Sequence, residues 1–151
     1  MRVHIGTDHA GFEMKNAVVQ FLRTRGYEVV DHGAEGYDSE DDYPTYIIPT
    51  AQAVVAEPDS LGVIFGGSGN GEAIVTNKVR GVRAALIHSH DTAVLARKHN
   101  NANIASIGAR MHSREQVIDL VLAFLTTDFT FADRHVRRLD LIRAYEESVS
   151  A

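Results

Sequence analysis

Leu61-Gly62-Val63-Ile64-Phe65 is an unbroken apolar run of strand length, and it passes directly into Gly66-Gly67-Ser68-Gly69-Asn70-Gly71-Glu72. A strand with no polar alternation has no face to give to water, so it must lie in a sheet covered on both sides. The rest of the chain repeats the theme. Val3-His4-Ile5-Gly6 and residues 27–30, 83–87 and 104–107 also read as strands, each followed by a helical pattern. Met14, Ala17, Val18, Phe21 and Leu22 make one apolar stripe, with Gly26 placed to end that helix. A second helix is expected over 46–56 with Pro49 in its first turn. Further helices are expected from the glycine loop to about residue 79 and over 90–99. Ser113 and Gln116 form a capping box ahead of the stripe Val117, Leu120, Val121, Phe124 and Leu125. A final helix, over 132–147, carries Arg134, His135, Arg137 and Arg138.

Strand alternating with helix predicts an α/β fold. The expected form is a three-layer α-β-α sandwich: a five-stranded parallel, Rossmann-like sheet with helices on both faces and right-handed crossovers. Ligands bind such sheets at the carboxyl ends of the strands. Without repeats or a linker, residues 1–151 are expected to form one domain, with the last helix free to reach a partner subunit.

Composition narrows the function. A net charge of -5 argues against a nucleic-acid partner, which needs a basic surface. The absence of cysteine removes thiolate nucleophiles, disulfides and sulfur-ligated zinc. No apolar run approaches the roughly 20 residues of a membrane span. A first strand beginning at Arg2 leaves no room for a signal peptide, so a cytoplasmic protein is expected.

The glycine loop is the strongest chemical signal. It lacks the Gly-Lys-Ser/Thr of a P-loop, and its glycines have the wrong spacing and the wrong strand for a dinucleotide site. It fits an anion nest of backbone N–H groups, for a phosphate or for an oxyanion formed in reaction; a tight turn with no ligand is the plainer alternative. Glu72 closes the loop. Spacing alone favours a carboxylate that offsets the helix dipole, by roughly 0.3–1 kcal/mol; the other reading is a general base beside the nest. A helix end lowers a carboxyl pKa, so a base here would need burial to raise it.

Asp8 and His9 end the first strand, at the edge where a site belongs. Asp8 is either a helix cap or a group for a sugar hydroxyl. His99-Asn100 ends a helix, where a histidine can simply stabilise the dipole. Arg110 follows the fifth strand, while Arg134 and Arg138 share a helix face. Such a run is usually solvated, yet guanidinium groups are also the natural clamp for phosphate. His88 and His90 have no third ligand at useful spacing, so neither metal nor cofactor is expected.

These motifs, in this order, resemble the ribose-5-phosphate isomerase B family, which includes galactose- and allose-6-phosphate isomerases. The likeness covers Asp8-His9-Ala10-Gly11, Asp42-Tyr43-Pro44, Gly66 to Glu72, Asn77-Lys78, Arg83-Ala84-Ala85, His99 to Asn103 and Ile107 to Arg110. One branch of that family takes its base from a cysteine at the position of Gly66. The other, typical of actinobacteria, uses a glutamate at the position of Glu72. The resemblance thus implies Glu72 as base, with Ser68 and the backbone of Gly67, Gly69, Asn70 and Gly71 forming the anion hole. It implies that Asp8, His9 and His99 handle ring opening and hydroxyls, and that Tyr43 and Asn100 bind substrate. Arg110, Arg134 and Arg138 would hold the phosphate. It further implies a homodimer, or a tetramer, with sites between subunits, so that His99, Asn100 and the C-terminal arginines serve the partner's site. The implied reaction interconverts ribose 5-phosphate and ribulose 5-phosphate through a cis-enediolate. Alternatives are the same chemistry on a hexose 6-phosphate or a tetrulose 4-phosphate, or a phosphosugar-binding module without turnover.

Overall fold

A computed structural model describes residues 1–149 and places five strands and six α-helices in strict alternation up to the last helix. The strands are β1 (Arg2–Thr7), β2 (Glu28–Asp31), β3 (Leu61–Gly66), β4 (Ala84–Leu86) and β5 (Ile104–Gly108). The helices are α1 (Phe12–Thr24), α2 (Pro44–Ala56), α3 (Asn70–Thr76), α4 (His90–Asn100), α5 (Arg114–Leu125) and α6 (Asp133–Val149). Residues 150 and 151, the end of the expected single domain, lie outside the described residues.

All strand pairs are parallel, in the order β2-β1-β3-β5-β4. Strand side chains alternate between two layers. Val3, Ile5, Val63, Phe65, Ala105 and Ile107 face α1, α4 and α5, where they meet Val18, Leu22, Val117, Val121 and Phe124. Ile64 and Ile104 face the other way, onto Ile47, Ala51 and Val54 of α2. This is the expected three-layer sandwich. Complete burial holds for β3 and β5, whereas the edge strands β2 and β4 keep exposed residues.

Two helix boundaries differ from expectation. Helix α2 begins at Pro44, because a proline at the first helical position loses no hydrogen bond there. Pro49 therefore lies inside the helix, on its exposed side, where the carbonyl it leaves free at exposed Thr45 can face water. Helix α3 stops at Thr76, short of residue 79. Helix α5 starts at the predicted capping box, and a second box, Ser89 with Thr92, opens α4.

The chain leaves β1 toward β2 on one side, and the sheet grows from β3 on the other. The crevice at this reversal, above the carboxyl ends of β1 and β3, is where such sheets bind ligands.

Candidate active site

Beyond β3 the backbone enters the glycine loop and turns at Gly69, whose φ of +81° lies in the left-handed region. A side chain there would also collide with Leu86 and with the backbone at Ile107, so glycine is needed twice over. The loop is tied down from β5: Ser106 Oγ donates to the Gly69 carbonyl at 2.7 Å, and the Ala109 N–H donates to the Gly66 carbonyl at 2.8 Å. Ser68 is exposed, and its Oγ accepts from the Asn70 backbone N–H at 3.3 Å and from Asn70 Nδ2 at 3.2 Å. Tyr43, one residue ahead of α2, lies so close over Gly71 that a Cβ there would be 2.8 Å from its ring.

Glu72 is only 4% exposed. Its carboxylate fills the space that a side chain at Gly66 would occupy. Burial pushes its pKa up from the ordinary carboxylate range, and the charge of Asp8 adds to this; a hydrogen bond from its own backbone N–H works the other way. Burial therefore outweighs the helix end. The Thr76 hydroxyl donates to the Glu72 carbonyl, closing the short helix behind it.

Asp8 caps the 3₁₀ turn His9–Gly11 by accepting from the Ala10 N–H at 2.9 Å, and at 6% exposure it stays inside the crevice. His9 has its Nδ1 at 2.6 Å from Asp41 Oδ1 and at 3.7 Å from Asp8 Oδ2. The hydrogen bond to Asp41 raises the His9 pKa; burial and the charge of Arg110 oppose it, while Asp8 supports it. Arg110 places its backbone N–H at 3.1 Å from the Gly67 carbonyl, and its guanidinium lies beside Gly67. One crevice thus collects Asp8, His9, Asp41, Tyr43, the loop 67–71, Glu72 and Arg110.

The remaining candidates are elsewhere. Helix α4 runs antiparallel to the strands, so His99 and Asn100 reach the edge where strands begin. There the Asn100 carbonyl accepts from Arg83 Nε, just ahead of β4. The two edges of a strand of five or six residues are about 15–20 Å apart. Helix α6 starts at this same lower edge. Thr130 Oγ1 donates to the Lys98 carbonyl, and the His135 ring lies over the His99 ring with centroids 4.4 Å apart. Arg134 and Arg138 are exposed beside them and lower the His135 pKa, behind burial and His99. Within one chain, then, the base candidate and the C-terminal arginines are not brought together.

Asp41 was not singled out by sequence reasoning. It belongs to an acidic run, Asp38 to Asp42, that reads as a solvated loop, and nothing in the pattern marks which carboxylate turns inward. Asp8, His9 and Asp41 each offer one ligand atom within 4.8 Å of the others. The 2.6 Å between Nδ1 and Oδ1 is a hydrogen-bond length. Two ligands on one zinc, each about 2.0–2.2 Å from it, sit farther apart than that. The trio is thus arranged as a proton-sharing pair with a neighbour. His88 and His90 are exposed at the start of α4.

The chain matches the family model described as Ribose/Galactose Isomerase over residues 3–142. It is 50% identical to ribose-5-phosphate isomerase B of Mycolicibacterium paratuberculosis, over all of this chain and 95% of that one. It is 49% identical to the Mycobacterium tuberculosis protein of the same name, over all of this chain and 93% of that one. Among solved structures, Mycoplasma genitalium ribose-5-phosphate isomerase B with bound ribulose-5-phosphate is 38% identical. It superimposes with a TM-score of 0.93, covering 97% of this chain and 96% of that one.

Proposed function

The chain belongs to the ribose/galactose isomerase family of enzymes, and from that premise we propose that it interconverts D-ribose 5-phosphate and D-ribulose 5-phosphate with Glu72 as the base. The observation that carries the reading is the Glu72 carboxylate: buried, raised in pKa, and seated over Gly66 against the glycine loop. Proton abstraction next to a carbonyl needs a base of raised pKa and donors for the oxygen that gains charge. Glutamate is known to do such work where water is excluded.

In this mechanism the furanose opens, with Asp8 and a histidine carrying protons. Glu72 removes the proton from C2 of the open aldehyde. The electron pair forms the C1–C2 double bond, and the negative charge passes to O1, facing Ser68 and the N–H groups of residues 67–71. The O2 proton moves to O1. Glu72 then returns its proton to C1, leaving a carbonyl at C2. Both carbons lie on one face of the cis-enediolate, so one base serves both. No step needs an added cofactor.

The substrate phosphate goes to Arg110 together with Arg134 and Arg138. Because the last two lie at the opposite edge of their own sheet, they and His99 and Asn100 complete the site only if chains pair. In that homodimer, Tyr43 and Arg110 stay with their own Glu72, and His99, Asn100, Arg134 and Arg138 reach the partner's. Leu141, Ile142, Tyr145 and Val149 leave an exposed apolar stripe on α6 that suits such pairing. Two such dimers could build a tetramer. The whole chain acts as one domain, and no nucleic acid or membrane takes part; among the described residues, no helix is long and apolar enough to cross a membrane. The cytoplasm is the natural place for the reaction, since doubly charged sugar phosphates do not cross a bilayer.

The test is conversion of ribose 5-phosphate by the purified protein in EDTA, compared with Glu72→Gln. The wild type should turn over, and the variant should lose at least about 1000-fold in kcat with little change in KM. A variant of near-normal kcat would remove Glu72 from its role. Turnover of a hexose or tetrulose phosphate in place of ribose 5-phosphate would change the substrate, and binding without turnover would leave a phosphosugar-binding module.

A further inference from the structure

Asp41 is the one carboxylate in the crevice with no part in the chemistry described so far. Its Oδ1 accepts twice from the same residue, from the His9 backbone N–H at 3.0 Å and from the ring at Nδ1 at 2.6 Å. Its side chain is 6% exposed, and its second oxygen, Oδ2, is buried without a well-formed hydrogen bond among the described residues; the Tyr46 hydroxyl approaches this carboxylate, which helps to raise the Tyr46 pKa behind burial. A buried carboxylate with an unpartnered oxygen is costly unless a cation neutralises it. Among the described residues, His9 is the only cationic group paired with it. At the other side of the imidazole, Nε2 has no hydrogen-bond partner among the described residues.

We infer that Asp41 is a positioning residue of this site: it holds the His9 ring by Nδ1, fixes a proton on that atom, and so leaves Nε2 as the atom offered to substrate. A backbone and a side-chain donor on one oxygen set both the position and the rotation of the ring. That is the role of an orienting carboxylate behind a working histidine. The inference rests on the isomerase reading for its consequence in catalysis, though not for the state of the ring.

The surroundings of His9 agree. Three charged groups face the ring. Asp41 comes from the loop ahead of α2, Asp8 from the end of β1, and Arg110 from the loop after β5. Tyr37, from the same loop as Asp41, adds only the edge of its ring, centroid to centroid 6.4 Å. Two anions against one cation favour the imidazolium, with Asp41 the dominant partner. A charged His9 then presents Nε2–H as a donor. Such a donor suits a sugar-phosphate oxygen or the ring oxygen that takes up a proton as the furanose opens.

The loop carrying Asp41 is itself braced. Lys15 is 1% exposed, and its Nζ donates to both oxygens of Asp31 at 2.7–2.8 Å and to the Ala34 carbonyl at 2.8 Å. The loop therefore starts from a fixed point at the end of β2 and ends at Pro44. Asp41 sits close to that second anchor, a rigid place for an orienting group.

The experiment is a histidine-ring NMR titration of the full-length protein without substrate, paired with kinetics on ribose 5-phosphate, for wild type, Asp41→Asn, His9→Gln and the double variant. In the wild type, His9 should titrate above 6.5, with the Nδ1–H form dominating once neutral. In Asp41→Asn the midpoint should fall, the tautomers should mix, and kcat/KM at neutral pH should drop about 10- to 100-fold. In the His9→Gln background, Asp41→Asn should cost nothing further, because Asp41 acts through the ring. An unmoved His9 midpoint and tautomer in Asp41→Asn would overturn the inference, as would an undiminished loss in the His9→Gln background. If wild type fails to turn over ribose 5-phosphate, the isomerase reading falls, and the titration alone decides the assignment of Asp41. Asp41→Glu, which keeps the charge but moves the oxygen, serves as the second variant if Asp41→Asn does not fold; it should keep the raised midpoint and recover part of the activity.

Discussion

Gly66 and Glu72 compete for one volume. The three atoms that a Cβ at Gly66 would meet first all belong to the Glu72 carboxylate, and Gly66 does not sit in the left-handed region. Gly66→Ala should therefore fold, since the group that must yield first is the end of a flexible side chain. It should still displace the base by about an ångström, enough to cost on the order of 100-fold in kcat. Thermal unfolding should move little while ribose 5-phosphate turnover collapses; full turnover would show that the carboxylate's seat over Gly66 does not matter to the chemistry. This pairing also marks how far the sequence can be read at this scale. Spacing shows Glu72 only as an acid in the first turn of a helix, because burial and the proximity to Gly66 are products of the sheet. The family resemblance, and not the residue pattern, singled out Glu72. Asp41 had no such help: four neighbouring acids look alike on paper, and only the fold turns this one toward His9.

At the scale of elements, period and capping were legible. The apolar stripes of α1 and α5 mark their buried faces, because a 3.6-residue apolar repeat gathers those side chains along one side of a helix, and Ser113 with Gln116 marks the start of α5. What stayed hidden was the seam between β1, β2 and α2. His4, on the α2 face of β1 and 2% exposed, has Nδ1 at 2.9 Å from His32 Nε2 and Nε2 at 3.3 Å from Glu57 Oε2. Glu57 in turn is held by Arg2, which keeps its pKa below the ordinary range. Burial first, and the neighbouring His4 second, lower the His32 pKa. A histidine whose folded pKa is depressed stabilises the fold fully above its unfolded value near 6.5. That contribution is lost as pH falls from there through the folded pKa. Melting temperature should thus drop between about pH 7 and pH 5, and His32→Gln should flatten the drop. A wild-type melting temperature constant across this window would show that His32 does not couple to folding.

Over the whole molecule, direction along the sheet decides what one chain can do alone. Parallel strands with antiparallel helices send every strand end to one edge and every helix end to the other, so Glu72 and His99 could be assigned to opposite edges from the alternation itself. The arginines were harder. Nothing in the period of α6 says where it lies, and its place is set by Thr130 on the Lys98 carbonyl and by His135 against His99. If two chains complete each other's sites, a specific arithmetic follows. Glu72→Gln and an Arg134→Ala/Arg138→Ala variant should each be inactive alone. In a mixed dimer, one site receives both defects and the other receives none. Random exchange makes half of the dimers mixed, each with one intact site of two, so mixing equal amounts after dissociation should restore about a quarter of wild-type activity. Recovery near that level would establish that Glu72 of one chain works with the arginines of another. If dimers exchange, as followed by native mass spectrometry, and no activity returns, each site is built within a single chain, and α6 must swing to the upper edge of its own sheet to take part.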